Sequence, residues 1–255
     1  MKLGEIVDNP TILEKLSTKK GDLVVIVKKS GILIVTILII TLLTATVCFG
    51  VLATKPIGNA SANNLKIVLD AGHGGVDGGV SGVLTGVKES DLNLSVVKKL
   101  EKFLIGAGFS VVLTRSTDAG LYGVSSVSLK KKDMQKRRDI IKKAKPNLAV
   151  SVHMNKYSLQ SRRGAQVFYK KTDEKGKLLA QCVQDSFNQM KEAVRECNIL
   201  TGDYYILNCS EYPSIIAECG FLSNPEDEAL LITEEYQESI AYSIFKGIIT
   251  YLTKI

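Results

Sequence analysis

The chain contains two histidines, His73 and His153, and each directly follows a short apolar run: Ile67-Val68-Leu69-Asp70-Ala71-Gly72 before the first and Ala149-Val150-Ser151-Val152 before the second. Such runs read as buried strands, and an open α/β sheet places its ligands beyond the carboxyl ends of its strands. Two imidazoles at that edge supply two of the three protein ligands that a catalytic zinc site uses, the fourth position being left for water. A carboxylate completes the set. Glu89, just ahead of a helix predicted to be capped by Ser90, suits that place, with Asp70 and Asp77 as rivals. Asp70 stands three residues before His73, better placed to orient a histidine or tie down the loop. On residue types alone, Glu89 fits first-turn helix electrostatics equally well.

A hydrolytic metal site also needs a base. Residues 214–221, Ser-Ile-Ile-Ala-Glu-Cys-Gly-Phe, form an apolar strand with one carboxylate near its end. Burying an unpaired carboxylate is unfavourable unless something uses it. Glu218 is therefore the candidate general base, with a salt bridge or helix cap as the ordinary alternative. The neighbouring thiol offers a rival chemistry, a cysteine hydrolase pairing Cys219 with His153.

The elements that must position these groups follow from periodicity. Residues 66–70 form a strand that ends in the glycine loop Gly72-His73-Gly74-Gly75, and residues 90–104 form a helix with Leu92, Val96, Val97, Leu100 and Leu104 inward, stopped by Gly106 and Gly108. Strands over 110–114, 148–153, 165–169, 204–207 and 214–218 alternate with helices over 131–145, 177–194 and 236–252. Alternation of this kind implies an α/β fold: a single three-layer domain whose mostly parallel, twisted sheet is flanked by helices. The lysine-rich helix 131–145 reads as a solvated face.

The N-terminus is of another kind. Residues 31–53 carry no charge and, at about 1.5 Å of rise per residue, are long enough to cross a hydrocarbon core of about 30 Å. They read as a transmembrane helix or signal anchor. Lys28 and Lys29 just before the run put residues 1–30 in the cytoplasm and the rest outside, with 54–64 as a linker and 65–255 as the exported domain. Small residues at 51–53 and 60–62 allow cleavage and secretion instead, but the run exceeds an ordinary signal-peptide core. The four exported cysteines, Cys182, Cys197, Cys209 and Cys219, read mainly as small buried apolar residues.

The net charge of +7 suits an anionic partner such as a membrane surface or cell-wall polymer. Without Trp, a concentrated basic arm or Cys/His finger spacing, the chain has no nucleic-acid signature beyond charge.

Four motifs, in order and spacing, resemble the zinc-dependent N-acetylmuramoyl-L-alanine amidases: Asp70-Ala71-Gly72-His73-Gly74-Gly75, Lys88-Glu89-Ser90-Asp91-Leu92-Asn93-Leu94, Ser151-Val152-His153-Met154-Asn155 and Ala217-Glu218-Cys219-Gly220-Phe221-Leu222-Ser223-Asn224. The likeness spans about residues 65–252. Residues 164–169, the single N-terminal apolar segment and the lack of a wall-binding module are most similar to the germination-specific branch of spore-forming bacteria. The resemblance implies one Zn2+ held by His73, Glu89 and His153, with Glu218 as the catalytic carboxylate. It implies a peptidoglycan substrate, cleaved between the lactyl group of N-acetylmuramic acid and L-alanine, and a role in cortex maturation on the cortex side of the spore envelope. A catalytic domain without a wall-binding module is expected to have an activating or positioning protein partner. A non-catalytic, membrane-tethered wall-binding protein is the other class of reading. Ala71, where the family usually has proline, and Met154, where it usually has a smaller residue, depart from the pattern and bear on loop rigidity and cleft shape.

Overall fold

The first strand, β1 (Lys66–Ala71), is buried at every position after Lys66, as its unbroken apolar run requires of a strand covered on both faces. In the computed structural model, which describes residues 65–123 and 128–255, β1 is followed by α1 (Glu89–Gly106), β2 (Ser110–Leu113), α2 (Leu129–Ala144), β3 (Leu148–Asn155) and β4 (Gln166–Tyr169). Next come α3 (Glu174–Asn188), β5 (Leu200–Thr201), α4 (Tyr205–Asn208), β6 (Ser214–Phe221), α5 (Pro225–Leu231) and α6 (Glu234–Leu252). The expected membrane run 31–53, the segment 1–30 before it and the linker 54–64 after it lie outside the described residues. Among the described residues no helix is long and apolar enough to cross a membrane.

The six strands form one sheet in the order β2-β1-β3-β6-β4-β5. β2, β1, β3 and β6 run parallel, whereas β4 is antiparallel to β6 and carries β5 with it. The sheet is thus mixed, its parallel part being the four strands that include both histidine-bearing segments. A parallel return needs a long crossover. Residues 156–165 contain no helix, so the chain leaving β3 re-enters the sheet reversed.

Helices cover the two faces unequally. Ile67, Leu69, Ala71, Val150, Val152, Ile215, Ala217 and Cys219 point to one side and pack on the apolar stripes of α1, α3 and α6. Val68, Ala149 and Ile216 point to the other, where the buried apolar partners are Ile141 of α2 and the small group Ile206, Leu207 and Cys209 at α4, with a few half-buried residues such as Met134 and Phe168 around them. Strand alternation puts Asp70, Ser151, His153 and Glu218 on this thinly covered side. Polar groups can remain accessible there because little packs over them.

Three expectations need correction. Residues 204–207 are not a strand: Tyr205–Asn208 form one helical turn, and the edge strand is the two-residue β5. A short apolar run has no periodicity that separates the two states. Ser90 does not cap α1 either. Lys88 takes the N-cap place without a side-chain cap, and the first-turn N–H groups of Glu89 and Ser90 donate to Val80 O and Gly78 O at 2.8 and 3.1 Å. The loop backbone satisfies the donors that a capping hydroxyl would otherwise take. α3 also begins earlier than 177, capped by Asp173 Oδ1 accepting from Gly176 N at 2.8 Å, and ends at Asn188 rather than 194.

Candidate active site

The strand ends bring His73, Glu89 and His153 together, although they stand up to 80 residues apart in the chain. Glu89 opens α1 and is 2% exposed. Its Oε1 lies 2.8 Å from His153 Nδ1 and 3.3 Å from His73 Nε2. Three further donors fix that carboxylate from the other sides. Met154 N and Asn93 Nδ2 donate to Oε1 at 3.2 and 3.3 Å, and Val80 N donates to Oε2 at 2.9 Å. His73 Nδ1 lies 2.9 Å from Asp77 Oδ1, and the two imidazole rings stand edge to face with centroids 5.1 Å apart.

The backbone is shaped for this convergence. His73 has φ +60, a left-handed conformation that side-chain-bearing residues rarely adopt. A Cβ at Gly72 would overlap the His153 ring, so only glycine lets the loop pass that close. Two buried arginines hold the loop's consecutive carbonyls. Arg115 Nε and Nη2 donate to Ala71 O and Gly72 O at 2.8 and 2.9 Å. Arg137 Nη1 and Nη2 donate to Ala71 O and His73 O at 2.7 and 2.6 Å.

Asp70 is fully engaged elsewhere. Its Oδ1 accepts from Thr114 Oγ1 and Arg137 Nη1, each at 2.6 Å, and its Oδ2 from Ser151 Oγ at 2.6 Å. Burial pushes its carboxyl up, but Arg137 and the two hydroxyls hold it down at about 2. It ties down the loop and does not face the histidines as a third donor. Asp77 sits behind His73, where it orients the ring.

Glu218 stands in register with His153 on one side and Gln166 on the other. Its Oε2 is buried without a hydrogen-bond partner. Burial, seconded by the charge of Glu89, raises its carboxyl to about 7 against the pull of the histidines. A carboxylate poised near neutrality and free to exchange a proton is suited to general acid–base work. Burial lowers His73, but Glu89 and Asp77 outweigh it and raise the ring to about 8. Burial likewise raises Glu89, yet the hydrogen bonds from His153 and His73 keep it well below the usual carboxylate range.

Two imidazoles and a carboxylate with donor atoms all within 4.8 Å of one another form a group that could hold a metal ion. The donor types match the nitrogen and oxygen preference of zinc. The orphaned Glu218 Oε2 beside them marks a place for a species not supplied by the protein. Around this centre lies a cleft of about 400 Å³, walled by Met154, Tyr204, Tyr205 and Ile206 and edged by Lys130 and Lys156.

Cys219 takes no part. Adjacent strand residues face opposite sides of the sheet, so Cys219 points into the core beneath α3 and α6 with no exposure, and burial pushes its thiol well above the ordinary range. The cysteine-hydrolase reading is overturned.

Arg115, Arg137, Asn93 and Gln166 are the residues that sequence reasoning missed. Arg137 lies in the lysine-rich helix read as solvated, yet Asp133, Arg137 and Ile141 are its buried positions. Their spacing of four was the available signal, masked by the surrounding lysines.

Known proteins resemble this chain across the described domain. The family described as N-acetylmuramoyl-L-alanine amidase matches residues 67–250. The germination-specific N-acetylmuramoyl-L-alanine amidase of Bacillus subtilis (strain 168) is 35% identical over 193 residues, covering 74% of this chain and 80% of that protein. Among solved structures, the CwlD amidase from Clostridioides difficile, in complex with the GerS lipoprotein, superposes with a TM-score of 0.73 at 34% identity over 75% of this chain and 100% of that one. The catalytic domain of CwlV from Bacillus (Paenibacillus) polymyxa gives 0.66 at 28% identity over 74% and 98%.

Proposed function

The chain belongs to the N-acetylmuramoyl-L-alanine amidase family, and from that premise we propose that His73, Glu89 and His153 hold one Zn2+ and that Glu218 is its catalytic carboxylate. The observation that carries the proposal is the convergence of the three donors beside the unpartnered Glu218 Oε2. The reaction is hydrolysis of the amide between the lactyl group of N-acetylmuramic acid and L-alanine. When bound, the ion supplies Lewis acidity and an acidified water. Glu218, poised at about 7, takes a proton from the attacking water and returns it to the departing amine of L-alanine. Asp77 sets the orientation of His73 through Nδ1, and Met154 N–H and Asn93 hold Glu89 in place.

We further propose spore-cortex peptidoglycan as the physiological substrate, supported by the 35% identity to a germination-specific amidase. A protein partner that activates or positions the domain is supported by the similar CwlD amidase, which is in complex with a lipoprotein. Residues 31–53, uncharged throughout, carry the proposal that the domain is tethered outside the cytoplasmic membrane. The decisive experiment measures zinc content and stem-peptide release from purified peptidoglycan by the full chain, with and without chelator. Stoichiometric zinc with chelator-sensitive release is the expected result. Chelator-insensitive release would overturn the metal assignment.

A further inference from the structure

A second groove, of about 500 Å³, begins one residue along the chain from the cleft and has no task in the chemistry above. The two share one stretch of chain: Asn155 and Lys156 line the cleft, and Tyr157, the next residue, lines the groove. Its other walls include Leu159, Arg162, Arg163, Val194 and Arg195. No carboxylate lines it.

The arginines differ in what they already do. Arg163 pairs with Glu226 and, at 3.1 Å, with Asp227 Oδ1. Arg162 has no carboxylate partner among the described residues. Its guanidinium carbon lies 5.8 Å from the centroid of the Tyr157 ring and 6.0 Å from that of Phe221, and one Nη2–H donates to Gln166 Oε1 at 3.3 Å. The aromatic contacts and that single hydrogen bond fix a half-buried guanidinium while most of its five N–H donors stay uncommitted. A planar fork held in this way matches a carboxylate bidentately.

Position ties the fork to the reaction. Gln166, which anchors Arg162, pairs directly with Glu218 across β4 and β6, and neighbouring strands lie about 4.8 Å apart. Arg162 is therefore one strand spacing and one side-chain reach from the candidate base. An extended peptide rises about 3.4 Å per residue, so that distance corresponds to two or three residues beyond the scissile amide. The exposed Leu159 and Val194 flank it with apolar surface suited to short aliphatic side chains.

We propose that Arg162 is a specificity-determining subsite that binds a free carboxylate of the stem peptide two or three residues from the cleaved bond. The inference rests on the amidase reading of the site. It is tested with the zinc-loaded full chain on two soluble substrates: a muramoyl tripeptide with all peptide carboxylates free, and the same compound with all of them amidated. The ratio of kcat/KM for the free over the amidated substrate is expected to be about 10 to 100 in the wild type, the range of a charge-assisted hydrogen-bonded pair. Arg162→Gln is expected to bring it to within about twofold of one, and Arg162→Lys, which keeps the charge and loses the fork, to an intermediate value. Because each protein is compared with itself on two substrates, partial misfolding lowers both rates and leaves the ratio intact. A ratio near one in the wild type, or one that Arg162→Gln leaves unchanged, overturns the subsite and leaves the groove to an acidic protein partner. Release from neither substrate by the wild type overturns the amidase reading itself, and this proposal with it.

Discussion

Arg137 reaches from the middle of α2 to donate to the backbone carbonyl of His73 at 2.6 Å, holding from behind a residue whose φ of +60 is unfavourable for any side chain but glycine's hydrogen. The same guanidinium bonds Asp70, Asp133 and Ala71 O, so one planar group sets the exit of β1 and the ring that follows it. Arg137→Lys keeps a charge beside Asp70 but cannot satisfy these acceptors in one plane. The variant is expected to fold and to bind zinc about 10- to 100-fold more weakly, the usual effect of losing a group that orients a ligand. Competition with a chromogenic chelator measures this, and an affinity within twofold of wild type would falsify the assignment.

Glu218→Gln separates the base from the metal. The amide cannot move the proton, so kcat is expected to fall by about 10²- to 10⁴-fold while zinc content stays stoichiometric. The same change removes a buried carboxylate raised from 4.5 to about 7, so at pH 8 the variant is expected to be more stable than wild type by about 1–3 kcal/mol. Faster catalysis without this residue, or lower stability at pH 8, would contradict the role given to its orphaned oxygen.

Metal-free protein should lose stability between about pH 5 and 8. His73 is raised from 6.5 to about 8 and Glu218 from 4.5 to about 7. In each case the folded state holds its proton more tightly than the unfolded chain does, so the stabilisation is complete below the unfolded value and fades as pH rises through the folded one. Zinc requires the neutral ring, so its affinity is expected to rise over the same interval as His73 deprotonates. Thermal melts with and without zinc across this range test both signs. A chelated protein whose Tm climbs from pH 5 to 8 would exclude the scheme.

Thiol chemistry should be irrelevant to turnover. Cys182, Cys197, Cys209 and Cys219 are all buried, and Cys219 faces the core side of the sheet. Iodoacetamide applied to the native protein is expected to leave stem-peptide release unchanged, whereas a zinc chelator abolishes it. Inactivation matching the alkylation of Cys219 would restore the cysteine as nucleophile.

What the sequence disclosed follows from which interactions are local. The runs at 66–71, 148–155 and 214–221 announce central strands because both faces are buried, and His73, His153 and Glu218 stand out as rare polar groups at their ends. The reversal of β4 and the helical turn at 205–208 depend on chain path and packing, which leave no period in the residues. Asp70 and Glu89 look alike as nearby carboxylates; only the capture of Asp70 by Thr114, Ser151 and Arg137, partners 44 to 81 residues away, separates them. The arginines were the least legible, since a buried guanidinium is defined by the acceptors that surround it, here backbone carbonyls that no sequence pattern marks.

The same reasoning gives Glu228 a task. It lies on α5 with no exposure, and its Oε2 accepts from Leu84 N at 2.7 Å while its Oε1 accepts from Thr85 N and Thr85 Oγ1 at 2.8 and 2.7 Å. Burial opposes its ionisation, but these donors hold the carboxyl below its ordinary value. It thereby clamps the loop that runs from His73 to Glu89, whose Leu84 is otherwise exposed. In Glu228→Gln one oxygen is replaced by an amide that meets a backbone donor with another donor. The loss is expected to be about 2–4 kcal/mol, or roughly 5–10 °C in Tm for a domain of this size. Because the clamp acts on one loop, limited proteolysis should cut the variant first within residues 81–88. Cleavage elsewhere with an unchanged Tm would show that the loop is held by its own backbone bonds, such as Gly82 N to Val87 O, and not by the carboxylate.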